Sequence, residues 1–324
     1  EITEGLVGLG DVYKRQGLNL MNKKSKTALS AIDTDSVLRR ALIVFPYLWL
    51  VLFFLIPFLY VFKISFSVPI LAQPPYSQIF DFSQNFTNWI KLTWDNYLFI
   101  LEDNLYWISY LKSIKVAAIS TILCLIIGYP LAYGIARAST EKRNILLMLV
   151  ILPFWTSFVL RVYAWMGILG KNGIVNSILL SLNLINEPLA ILYTDVAVYL
   201  GIVYTYIPFM ILPLYASIEK LDSKLLDAAS DLGATQWQKF FDVTLPLTKP
   251  GIIAGSLLVF IPAIGEYVIP TLLGGIDSLM IGRTLFDEFF INRDWPLASS
   301  VATILLLIVV MPIMLFQRYF QRST

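Results

Sequence analysis

The 324 residues would admit two soluble domains by length, but 57% are hydrophobic and only 14% charged, with a mean hydropathy of +0.72; soluble chains run near roughly 45–50% and 25%. A net charge of +2 gives no basis for nucleic-acid binding, and the lack of histidine removes imidazole catalysis and His-ligated metals. The lone Cys124 lies in an apolar run, which excludes an internal disulfide or a Cys-rich cluster, so the composition is that of an all-α polytopic membrane protein.

Residues 1–20 precede Met21-Asn22-Lys23-Lys24, and Asp11-Val12-Tyr13-Lys14-Arg15-Gln16 resembles the translation of a sequencing-library adaptor, so a non-native leader is expected there. Residues 21–40 read as a cytoplasmic tail and 41–66 as the first transmembrane helix. The next stretch, 67–108, reads as a periplasmic segment. Its Trp89, Trp94, Tyr97, Tyr106 and Trp107 suit a membrane interface, with a docking surface as the alternative.

A core of 109–320 should hold five more spans. A bilayer core about 30 Å thick needs about 20 apolar residues in a helix, and runs at 116–136, 145–170, 196–218, 251–275 and 295–317 meet that length. Only two carry a charge, Arg161 in 145–170 and Glu266 in 251–275, and Pro262, Gly265 and Pro270 around Glu266 suggest a bent helix that exposes backbone carbonyls. Residues 171–195 are apolar only in short pieces and read as interfacial or re-entrant. Lys and Arg are twice as frequent on the side holding the tail, Arg137–Arg143, Lys220–Lys249 and Arg318–Arg322 as on the other. Six spans with both termini inside follow from that bias.

Between the fourth and fifth spans, residues 219–250 form a patterned loop. Leu221, Leu225, Ala228, Ala229 and Leu232 recur at helical spacing, Asp222 and Ser223 suit a helix start, and Gly233 suits its end. Thr235 can cap a second helix that sets Trp237, Phe240 and Phe241 on one face, with Pro246 and Pro250 ending it. A helix–Gly–helix protrusion is expected, with either an external partner or packing against its own spans.

Asp227-Ala228-Ala229, then Gly233, Val243 and Leu245-Pro246 at fixed intervals resemble the EAA signature of permease subunits of bacterial ABC importers, with Asp replacing Glu and Val replacing Ile. Pro153-Phe154-Trp155-Thr156-Ser157, Arg161-Val162-Tyr163-Ala164-Trp165, the run from Gly265-Glu266-Tyr267 to Gly275 and Asn292-Arg293-Asp294-Trp295-Pro296 are similar to the polyamine branch, nearest to putrescine permeases. The resemblance spans nearly all residues after 40. It implies a type I importer fold in the bacterial inner membrane, with Asp227, Ala228, Ala229, Asp231, Leu232, Gly233, Trp237, Phe240, Phe241, Leu245 and Pro246 in the ATPase-coupling loop. It implies four kinds of partner: a second homologous permease, a homodimeric ATPase, a periplasmic polyamine-binding protein and the lipid bilayer. No cofactor or metal would bind this chain, and ATP and Mg would belong to the ATPase.

The energy source fits that scheme. Of 17 glycines, only Gly5 and Gly10 have Walker A spacing, and Asp11 follows instead of Lys. An ion-coupled carrier is the alternative, but it would want several intramembrane carboxylates, and the apolar runs hold one. An ABC permease for another small solute also stays open, since the loop reports the motor and not the cargo. A membrane enzyme lacks its acid/base cluster.

The two intramembrane charges admit two roles. At about 1.5 Å per residue, Glu266 lies about 22 Å along its span and Arg161 about 24 Å along its own, which suits a permanent pair. Alternatively Glu266 offers a carboxylate to a passing diamine, while Tyr163, Trp165, Tyr204 and Tyr267 offer aromatic faces. Asp195, Asp277, Asp287, Glu288 and Asp294 give the outer mouth negative charge that would gather cations, or else are ordinary solvated loop carboxylates.

Overall fold

The computed structural model describes residues 42–77, 92–276 and 278–321. The expected leader and tail, Trp89 and Asp277 lie outside these residues, as do the side chains of the C-terminal basic pair. The described residues divide into two units between Lys63 and Ile64. The first contributes the helix α1 (Leu42–Ile64), apolar along its length and with none of its most apolar stretch buried. A π-helical turn at Val51–Leu55 widens it.

Apart from an isolated β-bridge between Pro69 and Tyr76, the described regular structure of the second unit is helical. In chain order it comprises α2 (Asp95–Glu102), α3 (Asn104–Arg137), α4 (Thr140–Ile151), α5 (Phe158–Leu169), α6 (Ile174–Ser181) and α7 (Asp195–Glu219). Then come α8 (Ser223–Asp231), α9 (Gln236–Leu247), α10 (Lys249–Ile264), α11 (Val268–Leu273), α12 (Ile281–Phe286) and α13 (Trp295–Gln321). Among the described residues three helices (α1, α3 and α7) are long and apolar enough to cross a membrane, or up to five if each of two bent pairs is one span; α13 adds a shorter apolar stretch, Trp295–Met311.

Three helices, α3, α7 and α10, form the core. Their close approach follows from small residues: Gly128 faces Met210 and Ile211, and Gly255 lies against the Met210 backbone. Around these contacts Cys124, Met210, Ile211, Leu214 and Val259 are fully or almost fully buried. Side-chain contacts give α3 and α7 the same direction. Lys112 meets Asp195 at their starts, the Cys124 thiol donates to the Val203 carbonyl midway, and Tyr129 near the end of α3 reaches Thr248 and Phe240 just past the foot of α7.

The start of the bundle is sewn by polar side chains. Ser113 Oγ accepts from the Ile281 N–H at 2.7 Å, and the Tyr110 hydroxyl donates to the Val301 carbonyl at 2.7 Å. Asn96 donates to the Ser65 and Ser67 carbonyls. Burying such groups is tolerable because each finds a partner.

Two expectations change here. The second span starts at Asn104, so Tyr106 and Trp107 belong to a helix, and Tyr106 is buried with its hydroxyl on Glu288 at 2.9 Å instead of lying at an interface. The run 145–170 is not one straight helix: a 3-10 turn at Leu152–Trp155, with Pro153 in it, precedes a break, and the two arms bend by 92°. The run 251–275 is broken where Pro262, Gly265 and Pro270 suggested a bend: its helix stops at Ile264, and Gly265 and Glu266 separate it from α11. Residues 171–195 hold one helix of eight residues, pinned when Asn176 donates to the Gly170 and Leu189 carbonyls.

Candidate functional site

The loop at the foot of α7 folds as two capped helices. Asp222 Oδ1 accepts from the Lys224 N–H at 3.0 Å and starts α8. The end of α8 is a Schellman turn: the Gly233 N–H donates to the Ser230 carbonyl and the Ala234 N–H to the Ala229 carbonyl, with Gly233 at φ +83°. Thr235 and Gln238 then form a reciprocal capping box, at 2.8 and 3.3 Å, that opens α9. Lys239 Nζ donates to Ser230 Oγ across the two helices.

Within α9 the turn widens to a π-helix at Lys239–Thr244. This corrects the single aromatic face expected for Trp237, Phe240 and Phe241. The wide turn sends Phe240 inward, edge-on to Tyr129 at 5.5 Å, while Trp237 and Phe241 stack on each other outside. Trp237 is 74% exposed, Phe241 54% and Leu232 89%. Asp227, Ala228 and Asp231 are exposed beside them and Ala229 is half-buried. Leu245 and Pro246 lie in the last turn of α9, so Pro246 does not end the helix; the chain bends by 65° after Leu247. A cleft of about 630 Å³ between α7, α8 and the start of α10 is lined by Ala216, Lys220, Leu225, Leu247 and Pro250.

The two intramembrane charges do not meet. Glu266 is 7% exposed and sits in the break of the fifth run. Its Oε1 accepts from the backbone N–H groups of Tyr267, Val268 and Ile269 at 3.2, 3.0 and 3.3 Å. Its Oε2 accepts from the Tyr206 hydroxyl at 2.5 Å. The carboxylate thus caps α11 and ties it to α7, and its charge is offset by four donors and the helix start.

Arg161 lies instead over Phe154 and Phe158, 5.6 and 5.9 Å from the ring centres. Phe154 meets Phe209 at 5.2 Å, and Phe209 meets Tyr206 at 6.1 Å. An aromatic layer therefore stands where the expected ion pair would be. Depth matching failed because it assumed straight helices, and the 92° bend precedes Arg161.

Other expected path residues scatter. Trp165 and Tyr204 pack edge-to-face at 5.3 Å, and Tyr163 is 52% exposed. Tyr267 is stacked on Phe286 at 4.0 Å. Asp195 is already paired: Lys112 Nζ lies 2.5 Å away and Ser278 Oγ 2.7 Å. Among the outer carboxylates, Glu288 accepts from Tyr106 and Asn292, and Asp294 caps α13 through the Leu297 N–H. Tyr206, Lys112 and Phe209 were missed by sequence reasoning; Tyr206 and Phe209 stood out only as aromatic residues within the run 196–218, and Lys112 only as a charge ahead of the run 116–136.

Residues 126–324 match the family described as binding-protein-dependent transport system inner membrane component. The chain is 43% identical over 274 residues to the spermidine/putrescine transport system permease protein PotB of Haemophilus influenzae, covering 84% of this chain and 89% of that protein. It is 41% identical over 269 residues to PotB of Escherichia coli, covering 82% and 91%. Its fold resembles a chain in a crystal structure of the bacterial alginate ABC transporter in complex with alginate pentasaccharide-bound periplasmic protein, with a TM-score of 0.65, 15% identity, and 90% of this chain and 96% of that chain covered. The chain belongs to the binding-protein-dependent transport system inner membrane component family: it is a permease subunit of an ABC importer of the inner membrane, and not itself an enzyme.

Proposed function

We propose that this permease carries polyamines, both putrescine and spermidine, through six spans with both termini inside. It shares the path with a second permease, receives cargo from a periplasmic polyamine-binding protein, and is driven by a cytoplasmic ATPase dimer that hydrolyses Mg-ATP. The cargo reading rests on the 41–43% identity to spermidine/putrescine permeases over more than four-fifths of the chain.

The coupling reading is carried by one observation: Trp237, Phe241 and Leu232 stand exposed on a doubly capped, cross-linked protrusion. Large apolar side chains on a rigid mount are what a partner's groove would grip. Glu266 serves as a holder of the broken span in this reading, and Tyr163, Trp165 and Tyr204 offer the aromatic faces to passing ammonium groups.

The test is the importer reconstituted in proteoliposomes with its ATPase, second permease and binding protein. ATP-dependent uptake of labelled putrescine and spermidine is expected, with little uptake of amino acids, molybdate or sugars. Uptake of another solute alone would overturn the cargo. Uptake by this chain under an ion gradient without the ATPase would overturn the mechanism.

A further inference from the structure

We propose that the ion pair between Arg143 and Glu219 is a positioning strut for transport: it fixes the bent pair α4–α5 to the foot of α7 beside the loop, so that movement of the loop reaches α5. Arg143 Nη1 donates to Glu219 Oε1 at 2.6 Å, which joins the first turn of α4 to the last residue of α7. Glu219 stands three residues before Asp222, the cap of α8, so the pair sits where the loop leaves the bundle. Arg143 Nε is buried and 25% of the side chain is exposed, which holds the guanidinium in one direction. The contact of an arginine fork with a carboxylate adds geometric specificity as well as attraction.

The other contacts of this pair of helices are apolar. No residue of α4 is buried, and Leu147 and Val150 lie half-buried against the core. Past the inner arm, Phe154 meets the ring of Phe209 and Trp165 that of Tyr204, both on α7. Apolar surfaces are held together without a preferred direction, so the ion pair is what fixes how far along α7 the inner arm sits. Beyond the 92° bend, α5 carries Tyr163 and Trp165, two of the residues read as offering faces to ammonium groups. Exposure also limits what the pair does for the fold: with 41% of the Glu219 side chain exposed, it adds little to stability. Its loss should therefore spare folding and appear in the transmission of movement. This inference rests on the reading of residues 219–250 as the ATPase-coupling loop.

The experiment uses the whole importer in proteoliposomes and reads labelled putrescine taken up per ATP hydrolysed. Arg143→Gln and Glu219→Gln should each lower that ratio about fivefold, the most that a partly exposed pair carries. ATPase co-purification should stay intact, and the unfolding temperature should move by no more than about 2 °C. Arg143→Lys should keep most of the ratio. The double variant Arg143→Gln/Glu219→Gln should be no worse than either single one, because each removes the same contact. The exchange Arg143→Glu/Glu219→Arg should bring the ratio back to within about twofold of wild type. A ratio unchanged in both Gln variants would overturn the proposal, and with a lowered unfolding temperature it would leave the pair a merely structural one. So would losses that multiply in the double variant, or an exchange variant that folds, binds the ATPase and stays as low as the single ones. Failure of the coupling-loop reading is seen separately: if Trp237→Ala and Phe241→Ala left ATPase binding intact, that reading would fall whatever the Arg143 series gave.

Discussion

Replacing Glu266 distinguishes a carboxylate that holds the fold from one that holds cargo. In Glu266→Leu, three backbone N–H groups and the Tyr206 hydroxyl lose their acceptor in the interior. At about 1 kcal/mol or more for each orphaned donor, the loss is about 4 kcal/mol, a large share of the roughly 5–15 kcal/mol that keeps a domain folded. Glu266→Gln keeps an oxygen for the three N–H groups and turns the Tyr206 contact around, so only the charge assistance is lost, about 1–3 kcal/mol in all. Thermal unfolding of the purified complex should therefore rank wild type above Gln and Gln far above Leu, with uptake in Gln within about tenfold of wild type, about 1.4 kcal/mol. If Gln instead abolished uptake while unfolding at the wild-type temperature, the carboxylate would be a cargo ligand and the capping argument would be wrong.

The remaining expectations divide surface from core and test the loop. Trp237→Ala and Phe241→Ala, both exposed, should leave stability within about 0.5 kcal/mol yet weaken ATPase co-purification about 30-fold; Phe240→Ala, packed on Tyr129, should lower stability by about 3 kcal/mol. At Gly233, φ +83° with open space around it, Ala should cost about 1–2 kcal/mol of loop geometry through the backbone alone. Binding-protein-stimulated ATPase activity should fall in the order Gly, Asn, Ala, Val. Asp195→Asn removes a partly exposed pair with Lys112 and should shift stability by about 1 kcal/mol or less. A tenfold rise in KM for putrescine would place that carboxylate on the cargo instead.

What could be read from the sequence was what depends on neighbours in the chain. Asp222, Gly233 and Thr235 act within a turn or two of themselves, so the caps of α8 and α9 followed directly from residue type. Hydropathy located the apolar runs for the same reason. The bend beside Glu266 was legible from Pro262, Gly265 and Pro270 together, but the break after Pro153 was not, because a lone proline resembles the tolerated prolines at 130, 208 and 213, which lie inside continuous helices. Pairings were the least visible. Tyr206 meets Glu266 across 60 residues, and Lys112 meets Asp195 across 83, and nothing local to either residue marks its partner. The π-turn in α9 was also hidden, since no residue type within Lys239–Thr244 marks it.

The loop and the Glu266 joint are connected by two helices in close contact where Gly255 meets Met210, and that packing can be tested. α7 carries Tyr206 and ends where the loop begins; α10 begins where the loop ends and stops at the break beside Glu266. At Gly255 a Cβ would lie 2.8 Å from Met210 Sδ, 3.1 Å from the Met210 carbonyl oxygen and 3.3 Å from its Cα. The sulfur can move, but the backbone atoms can do so only if α7 and α10 separate. Overpacking of this kind costs about 1–3 kcal/mol, so Gly255→Ala should still assemble while Gly255→Val should not pack the pair correctly. Because the helices join the loop to the Tyr206–Glu266 bond, Gly255→Val should keep ATPase binding at Trp237 and Phe241 yet lose uptake per ATP hydrolysed. Uptake and hydrolysis falling in the same proportion would show that the two helices do not act as a rigid link.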